Sequence, residues 1–245
     1  MGITTARVKI PLSGGGAMGG YVARPEGNAV LPAVMVFMEI FGINSHIRDV
    51  VERVAAEGYV ALAPDFFHRT GPGVEYGYDE KGFAGGMKLL QRLDAEEMVS
   101  DAKAALAYLR NRPDATGKVG AIGFCIGGHM TYLTACETDV AAAASFYGGG
   151  IAAPQGMGGK ASTIGRTGKI QGRILCLFGE KDGFIPLEQV DQIRTALSKH
   201  SVDHEVVVYP GADHGFFCEQ RGSYQKEAAA DAWQRVKSLF RERLA

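Results

Sequence analysis

Short hydrophobic runs alternate with amphipathic segments along most of this chain. Each run is rich in small and branched apolar residues and ends at glycine, proline or polar residues, a pattern typical of strands that are buried on both faces of a parallel sheet. The predicted buried strands cover residues 33–37, 59–63, 119–124, 140–146, 174–178 and 204–209. Strands that alternate with helices predict an α/β protein with a mostly parallel central sheet and helices on both faces.

The amphipathic segments repeat hydrophobic residues every three or four positions, which predicts helices. Asp94 followed by Glu97 is a capping-box pattern, and it predicts a helix that stops near Pro113. Pro186 predicts the first turn of another helix, which continues to about Lys199. The remaining predicted helices cover residues 45–58, a segment from Cys125 through Leu133, and residues 225–244.

Three segments depart from this alternation. Residues 6–11 and 21–24 flank a glycine-rich break and predict an antiparallel hairpin. Repeated glycines interrupt any period in residues 66–93, so we predict an irregular excursion over one face of the sheet there. Residues 148–168 are rich in glycine and alanine and predict a loop that flanks the functional site.

Length and charge limit the classes of protein that fit. A chain of 245 residues is compatible with one α/β core, so residues 1–245 are predicted to form a single domain. With 26 basic and 27 acidic residues the net charge is −1, which provides no field for attracting nucleic acid or an anionic membrane. The sequence shows neither an apolar run of membrane-spanning length nor the apolar core of a signal peptide. We therefore expect a cytoplasmic protein that is a monomer or a small homo-oligomer.

The segment around Cys125 carries the strongest chemical signal. Gly123-Phe124-Cys125-Ile126-Gly127 directly follows a predicted strand. In a G-x-C-x-G pattern the glycines leave room for a strand to turn sharply into a helix, so the central residue is held exposed on a strained corner. The N-terminus of that helix lies beneath the sulfur and favours the thiolate over the thiol. Cys125 is therefore the predicted nucleophile, whereas the other cysteines fit neither a disulfide framework nor a zinc site.

Polar residues after the last two predicted strands complete a catalytic pattern. Asp182 lies in G-E-K-D-G-F-I-P and His214 lies in Y-P-G-A-D-H-G-F. Nucleophile, acid and histidine follow in the chain order of triads on the α/β-hydrolase sheet, in which the imidazole acts as base and then as acid while the carboxylate fixes its tautomer. Glu180 competes for the role of the acid. We favour Asp182 because it lies just before the helix that starts at Pro186.

An oxyanion hole is predicted next to the nucleophile. It needs backbone N–H groups from the residue after the nucleophile and from the loop after an early strand. By position these groups belong to Ile126 and Ile40. Phe41-Gly42 lets this loop approach the site closely, and Phe41 is predicted to contact the substrate. Glu39 adjoins the loop, and a carboxylate after a buried strand is an unusual neighbour for a cysteine nucleophile, although a turn-capping role is the alternative.

Five segments of the chain carry a resemblance to a known family. They read M-E-I-F-G-I-N-S-H-I-R-D-V, A-L-A-P-D-F-F, G-K-V-G-A-I-G-F-C-I-G-G, F-G-E-K-D-G-F-I-P and Y-P-G-A-D-H-G-F. Together they resemble the dienelactone hydrolase (carboxymethylenebutenolidase) family over nearly the whole chain. The resemblance implies an α/β-hydrolase fold, a triad of Cys125, Asp182 and His214, and a Glu39 carboxylate that helps to generate the thiolate when substrate arrives.

The same resemblance implies a reaction and a substrate. The reaction is hydrolysis of an enol lactone, dienelactone to maleylacetate, through a thioester acyl-enzyme in aromatic catabolism, with no metal or organic cofactor. Characterised members hold the substrate carboxylate with arginines, one of them shortly after the catalytic histidine. Here Arg221 lies later than that position and Cys218 occupies the nearer one. Arg221 is the predicted carboxylate-binding residue because it is the only arginine just after His214, and Lys81 is a candidate for the second cation.

Three alternatives remain for the same residues. An esterase or thioesterase of the same family could act on a different, neutral substrate. A non-catalytic homologue could sense oxidants through Cys125 and Cys218. A glutamine amidotransferase-like hydrolase also uses G-x-C-x-G, but that class places a glutamate two residues after its histidine, where this chain has Phe216.

Overall fold

A computed structural model of the chain describes residues 2–245. Its strands are β1 (Ile3–Pro11), β2 (Ala17–Pro25), β3 (Leu31–Phe37), β4 (Val60–Pro64), β5 (Ala115–Phe124), β6 (Ala142–Phe146), β7 (Arg173–Gly179) and β8 (His204–Tyr209). Its helices are α1 (Ser45–Ala56), α2 (Glu80–Leu90), α3 (Ala95–Arg110), α4 (Ile126–Glu137), α5 (Leu187–Lys199) and α6 (Lys226–Leu244).

The strands form one eight-stranded sheet in the order β1-β2-β4-β3-β5-β6-β7-β8. β1 and β2 pair antiparallel, with Ala6 opposite Val22, and β2 also runs antiparallel to β4. All pairs from β4 and β3 through to β8 are parallel. The predicted mostly parallel sheet with an opening hairpin is therefore confirmed, and the carboxyl ends of β3 and β5 to β8 point to the same edge, where ligands bind in such sheets.

Helices cover both faces of this sheet. On one face α3 and α4 pack against each other and against β5. On the other, the Tyr59 ring before β4 contacts Phe240 of α6 with centroids 5.9 Å apart, and Lys237 of α6 pairs with Glu57 after α1. Every residue of β4 and β6 is buried as a result, which explains why these strands have no alternation of polar and apolar positions. No helix of residues 2–245 has the length and apolar character needed to cross a membrane.

The prediction of an irregular excursion over residues 66–93 is wrong for its second half, where α2 forms. Asp79 caps this helix by accepting a hydrogen bond from the Gly82 N–H, 2.6 Å away. The glycines that hide the helical period are needed for packing. A Cβ at Gly82 would overlap the Gly77 carbonyl, and one at Gly86 would lie 2.5 Å from the Ile40 carbonyl oxygen. α2 therefore lies with its backbone directly against the loop that follows β3.

The predicted loop 148–168 contains only two short 3-10 turns, Met157–Gly159 and Ile164–Lys169. It is held against α4 by the buried ring of His129, whose Nδ1 lies 2.8 Å from the Gly149 carbonyl oxygen and whose Nε2 lies 2.7 Å from the Thr163 hydroxyl. Burial lowers the pKa of His129 to about 4, so the ring is neutral and serves as a structural bridge. This bridge fixes the loop beside the carboxyl edge of the sheet.

Candidate active site

A cavity of about 450 Å³ opens at the carboxyl edge of the sheet. Cys125, which follows β5, and His214, which follows β8, both line it. Asp182 follows β7 and lies behind His214, whereas Glu39 follows β3. Neighbouring parallel strands thus bring together residues that are far apart in the sequence. The four candidates predicted from strand ends all lie at this edge.

The backbone at Cys125 makes the sharp corner predicted from its glycines. Cys125 has φ 59° and ψ −119°, a left-handed conformation that is uncommon for a non-glycine residue, and its N–H donates to the Phe146 carbonyl oxygen at 3.1 Å. A Cβ at Gly123 would overlap the Gly127 carbonyl, and one at Gly127 would overlap the Phe37 carbonyl. Strand, turn and helix therefore fit only with glycine at both positions. Cys125 is partly exposed, whereas the other three cysteines are buried.

His214 has a carboxylate partner on its far side. Its Nδ1 lies 2.8 Å from Oδ2 of Asp182, and Oδ1 of Asp182 accepts the Phe184 N–H at 2.9 Å. Glu180 points elsewhere and accepts the Gly211 N–H at 2.8 Å. Of the two acids that the sequence left in competition, only Asp182 contacts the imidazole.

The environment of His214 favours its protonated form. Burial alone would lower the pKa of His214, but the electrostatic and hydrogen-bond interactions of the ring with Cys125 and Asp182 raise it to about 10. The edges of the Tyr147 and Phe184 rings pack around the imidazole, with centroids 5.0 Å and 5.2 Å away. An imidazolium in this position stabilises a thiolate at Cys125, which is the nucleophilic form of cysteine.

Glu39 lies in a second network next to the first. Its side chain is completely buried; Oε1 accepts from Nη1 of Arg221 at 3.0 Å and Oε2 accepts from the Tyr78 hydroxyl at 2.6 Å. Arg221 reaches the cavity wall by lying against Gly215, where a Cβ would overlap its guanidinium. Burial, Glu39 and Cys218 raise the pKa of Tyr78 far above its usual range, so its hydroxyl is the donor.

The groups predicted to bind the substrate also lie on the cavity wall. Ile40, Phe41 and Ile126 all line it. Ile126 is the first residue of α4, so its N–H has no acceptor within the helix. The Phe41 ring packs edge-on against Tyr78 with centroids 4.6 Å apart. Lys81, the candidate for a second cation, is exposed and is not part of the wall, whose only Lys or Arg residue is Arg221.

One cluster within residues 2–245 has side-chain atoms suited to a metal ion. Ligand atoms of Glu39, His46 and Cys218 all lie within 4.8 Å of one another. Both Glu39 oxygens already accept hydrogen bonds, one of them from the cationic Arg221. A cation would have to displace that guanidinium, because like charges repel strongly in a buried site. The cluster therefore carries no argument for a metal enzyme.

Two features of the site were missed in the sequence. Tyr78 was not predicted as a partner of Glu39, and α2 was not predicted at all. Asp79-Glu80, with a cap residue followed by an acid in the first turn, is a start signal that could have identified α2. No local signal connects Tyr78 with Glu39, because the contact spans 39 residues of sequence.

Comparison with known proteins identifies the family. The Dienelactone hydrolase family pattern matches residues 18–244. A protein of Synechocystis sp. named "Putative carboxymethylenebutenolidase" is 50% identical over 227 residues, which are 92% of each chain. The chain belongs to the dienelactone hydrolase family. The resemblance predicted from its motifs is thereby confirmed.

Solved structures of dienelactone hydrolases have the same fold. The crystal structure of a "Putative Dienelactone Hydrolase" from Klebsiella pneumoniae is 32% identical, with a TM-score of 0.89 over 99% of this chain and 100% of the other. A dienelactone hydrolase-like promiscuous phosphotriesterase from metagenomic libraries is 28% identical, with a TM-score of 0.82 over 100% of both chains. The protein is thus an α/β-hydrolase-fold enzyme that acts on lactones or esters, as the sequence predicted.

Proposed function

We propose that this family member opens a carboxylate-bearing enol lactone of the dienelactone type through a thioester on Cys125. The observation that supports the proposal is the 2.8 Å contact between Oδ2 of Asp182 and Nδ1 of His214. The His214 imidazole lines the same cavity as Cys125, which is partly exposed and has a strained backbone. This arrangement supplies a nucleophile, a base and an orienting carboxylate in one place.

The first half of the reaction makes the acyl-enzyme. The Cys125 thiolate attacks the lactone carbonyl carbon, and the resulting oxyanion accepts hydrogen bonds from the N–H groups of Ile126 and Ile40. The ring C–O bond then breaks, the enol oxygen leaves with a proton from the His214 imidazolium, and the enol tautomerises to the ketone. Asp182 keeps the ring oriented and stabilises its cation throughout.

The second half releases the product. Neutral His214 takes a proton from water, and the resulting hydroxide attacks the thioester carbonyl. The C–S bond breaks, so that the product leaves as a carboxylic acid, which loses its proton to solvent, and Cys125 returns as the thiolate beside the protonated imidazole. Dienelactone converted in this way becomes maleylacetate, a step that belongs to aromatic catabolism.

The ion pair between Arg221 and Glu39 is the reason for proposing a substrate that carries a carboxylate. A guanidinium binds a carboxylate through two parallel hydrogen bonds, so a substrate carboxylate can compete with Glu39 for Arg221. Glu39 released in this way would be free to help form the thiolate. Because Arg221 is already neutralised in the free enzyme, a neutral ester remains the second candidate substrate.

The burial and the raised pKa of Cys218 disfavour the redox-sensing alternative. Burial and the nearby Glu39 carboxylate raise the pKa of Cys218 to about 11, so almost all of this thiol is protonated at neutral pH. Oxidants react with accessible thiolates, and Cys218 is completely buried. Cys125 would have no ready partner thiol in such a mechanism.

Trapping the acyl-enzyme tests the proposed function. The protein mixed with dienelactone, or with a slowly hydrolysed ester, and quenched in acid should gain one acyl mass on the peptide that contains Cys125. Cys125→Ala should gain none and should lose turnover while keeping its fold, and iodoacetamide should label Cys125 before the three buried cysteines. Cys218→Ala is the matched control and should still be acylated. Full turnover in Cys125→Ala would refute the mechanism.

A further inference from the structure

One wall of the cavity is apolar and comes mainly from α2, the helix that was not predicted from the sequence. Phe83, Met87 and Leu90 lie at positions i, i+4 and i+7 of α2, so they share one face of the helix, and all three line the cavity. Leu93 after the helix and Met157 from the loop 148–168 line it as well. These five residues are called the α2 wall below.

We propose that the α2 wall is a subsite for a bulky, uncharged alkyl or aryl group on the ester or lactone. This inference rests on the proposed function, because it names the class of substrate that the same site takes. The substrate is then amphiphilic, with its scissile carbonyl at Cys125 and an apolar substituent against α2.

The lining of the cavity carries few charges. Among its lining residues only Arg221 and His214 carry a positive charge, and both already have a carboxylate partner. Gln91 is the only other polar side chain besides Cys125. A charged substituent against the α2 wall would lose its hydration without gaining a counter-ion, which is costly. The wall therefore selects for an uncharged group.

The size of the cavity points the same way. A volume of about 450 Å³ lies in the range that encloses drug-sized ligands. Unsubstituted dienelactone has only about ten non-hydrogen atoms, far fewer than such ligands. A larger apolar substituent would fill the remaining space and remove apolar surface from water.

The mouth of the cavity exposes large aromatic side chains. Phe83 is 42% exposed and Phe184 is 64% exposed, and both line the cavity. Two of the four exposed large hydrophobic residues described in the structure thus lie at this single opening. Exposed apolar surface of this kind marks ligand-binding grooves. The Gly86 contact with Ile40 fixes the α2 wall beside the predicted oxyanion hole, so the substituent lies close to the reacting carbonyl.

A series of p-nitrophenyl esters tests the subsite, from acetate through butyrate and hexanoate, together with acetates of alcohols of increasing length. If the wall binds the added methylenes, kcat/KM should rise roughly threefold for each one in at least one series. Met87→Asn and Leu90→Asn should flatten that rise, so the ratio of kcat/KM for the hexanoate to kcat/KM for the acetate should fall in both variants. Lys88→Ala is the matched control, because Lys88 is exposed on the same helix and does not line the cavity.

Equilibrium binding separates the subsite from the chemistry. In at least one of the two series, Cys125→Ala should bind the longest intact ester at least tenfold more tightly than the shortest, whatever nucleophile the enzyme uses. Equal affinities in both series, or flat kcat/KM in both series with turnover still dependent on Cys125, would overturn the subsite and leave the proposed function intact. Turnover that survives in Cys125→Ala together with a rise of kcat/KM along either series would instead refute the mechanism and support the subsite.

Discussion

Two buried carboxylates at the site, Asp182 and Glu39, have much in common. Each side chain is completely inaccessible to solvent, each follows a strand of the sheet, and each pairs with a basic side chain at about 3 Å. They differ in what holds them. Asp182 accepts a hydrogen bond from the backbone N–H of Phe184 as well as from His214, and its loop and the loop of His214 follow adjacent strands.

Within residues 2–245, the Glu39 carboxylate accepts hydrogen bonds from side chains only. Its partners Tyr78 and Arg221 come from segments 39 and 182 residues away. Side-chain partners rotate away more readily than backbone partners do, because no helix or strand moves with them. We infer that the Asp182 pair is built to stay in place, whereas the Glu39 pair can exchange with a substrate carboxylate.

The largest expected effect comes from Asp182→Asn. The amide cannot stabilise the imidazolium or fix its tautomer, so kcat should fall on the order of 10³ to 10⁴. The pKa of His214 should also fall, because one of the negative charges that raise it is removed. Steady-state kinetics and an NMR titration of the imidazole measure the two changes.

Glu180→Gln is the control for this experiment. It alters a carboxylate two residues away that contacts only the Gly211 N–H among its side-chain hydrogen bonds, so kcat should change little. A large loss of kcat in Glu180→Gln with normal turnover in Asp182→Asn would mean that Glu180, and not Asp182, is the carboxylate that orients His214.

A smaller effect is expected from Arg221→Ala, which breaks the exchangeable pair. KM for dienelactone should rise about tenfold or more, the scale of one charged hydrogen bond, while hydrolysis of neutral p-nitrophenyl acetate should change much less. Arg221→Lys keeps the charge but not the two parallel hydrogen bonds, so its KM for dienelactone should lie between that of the unchanged protein and that of Arg221→Ala. Equal losses on both substrates would mean that Arg221 only supports the structure.

The smallest effect is expected from Tyr78→Phe. The ring remains to pack against Phe41, but Glu39 loses its 2.6 Å hydrogen bond and keeps only Arg221 as a partner. Glu39 should then hold Arg221 more tightly, and kcat/KM for dienelactone should fall about threefold, in line with one lost hydrogen bond in a network. Measurement of kcat/KM for both dienelactone and a neutral ester tests this prediction. A loss confined to the neutral ester would contradict the exchange of Glu39 for a substrate carboxylate at Arg221.

Much of this protein is encoded in local patterns of the sequence. Hydrophobic runs bounded by breakers identified each parallel strand, because a strand covered by helices on both faces leaves no polar position. The glycines around Cys125 identified the corner, because no larger residue fits between β5 and α4. Such signals act within about ten residues, a distance at which the backbone itself enforces the geometry.

Only the tertiary structure decided which acid pairs with His214. The position of Asp182 just before Pro186 favoured it, but Glu180 lies two residues away on the same turn, so the sequence left the two acids in competition. The chain makes two successive turns after His214, with the Cys218 N–H bonded to Gly215 and the Arg221 N–H bonded to Cys218, and these bring Arg221 back to Glu39 despite its late position.

α2 is the clearest case of a feature that the fold decided. Its glycines lower helix propensity and hide the hydrophobic period, yet Gly86 is what allows the helix to lie against the Ile40 loop. A pattern-based prediction counts Gly86 as a break, because the Ile40 backbone that requires it is distant in the sequence. Only the packed structure contains both surfaces, and it is there that α2 becomes a wall of the cavity.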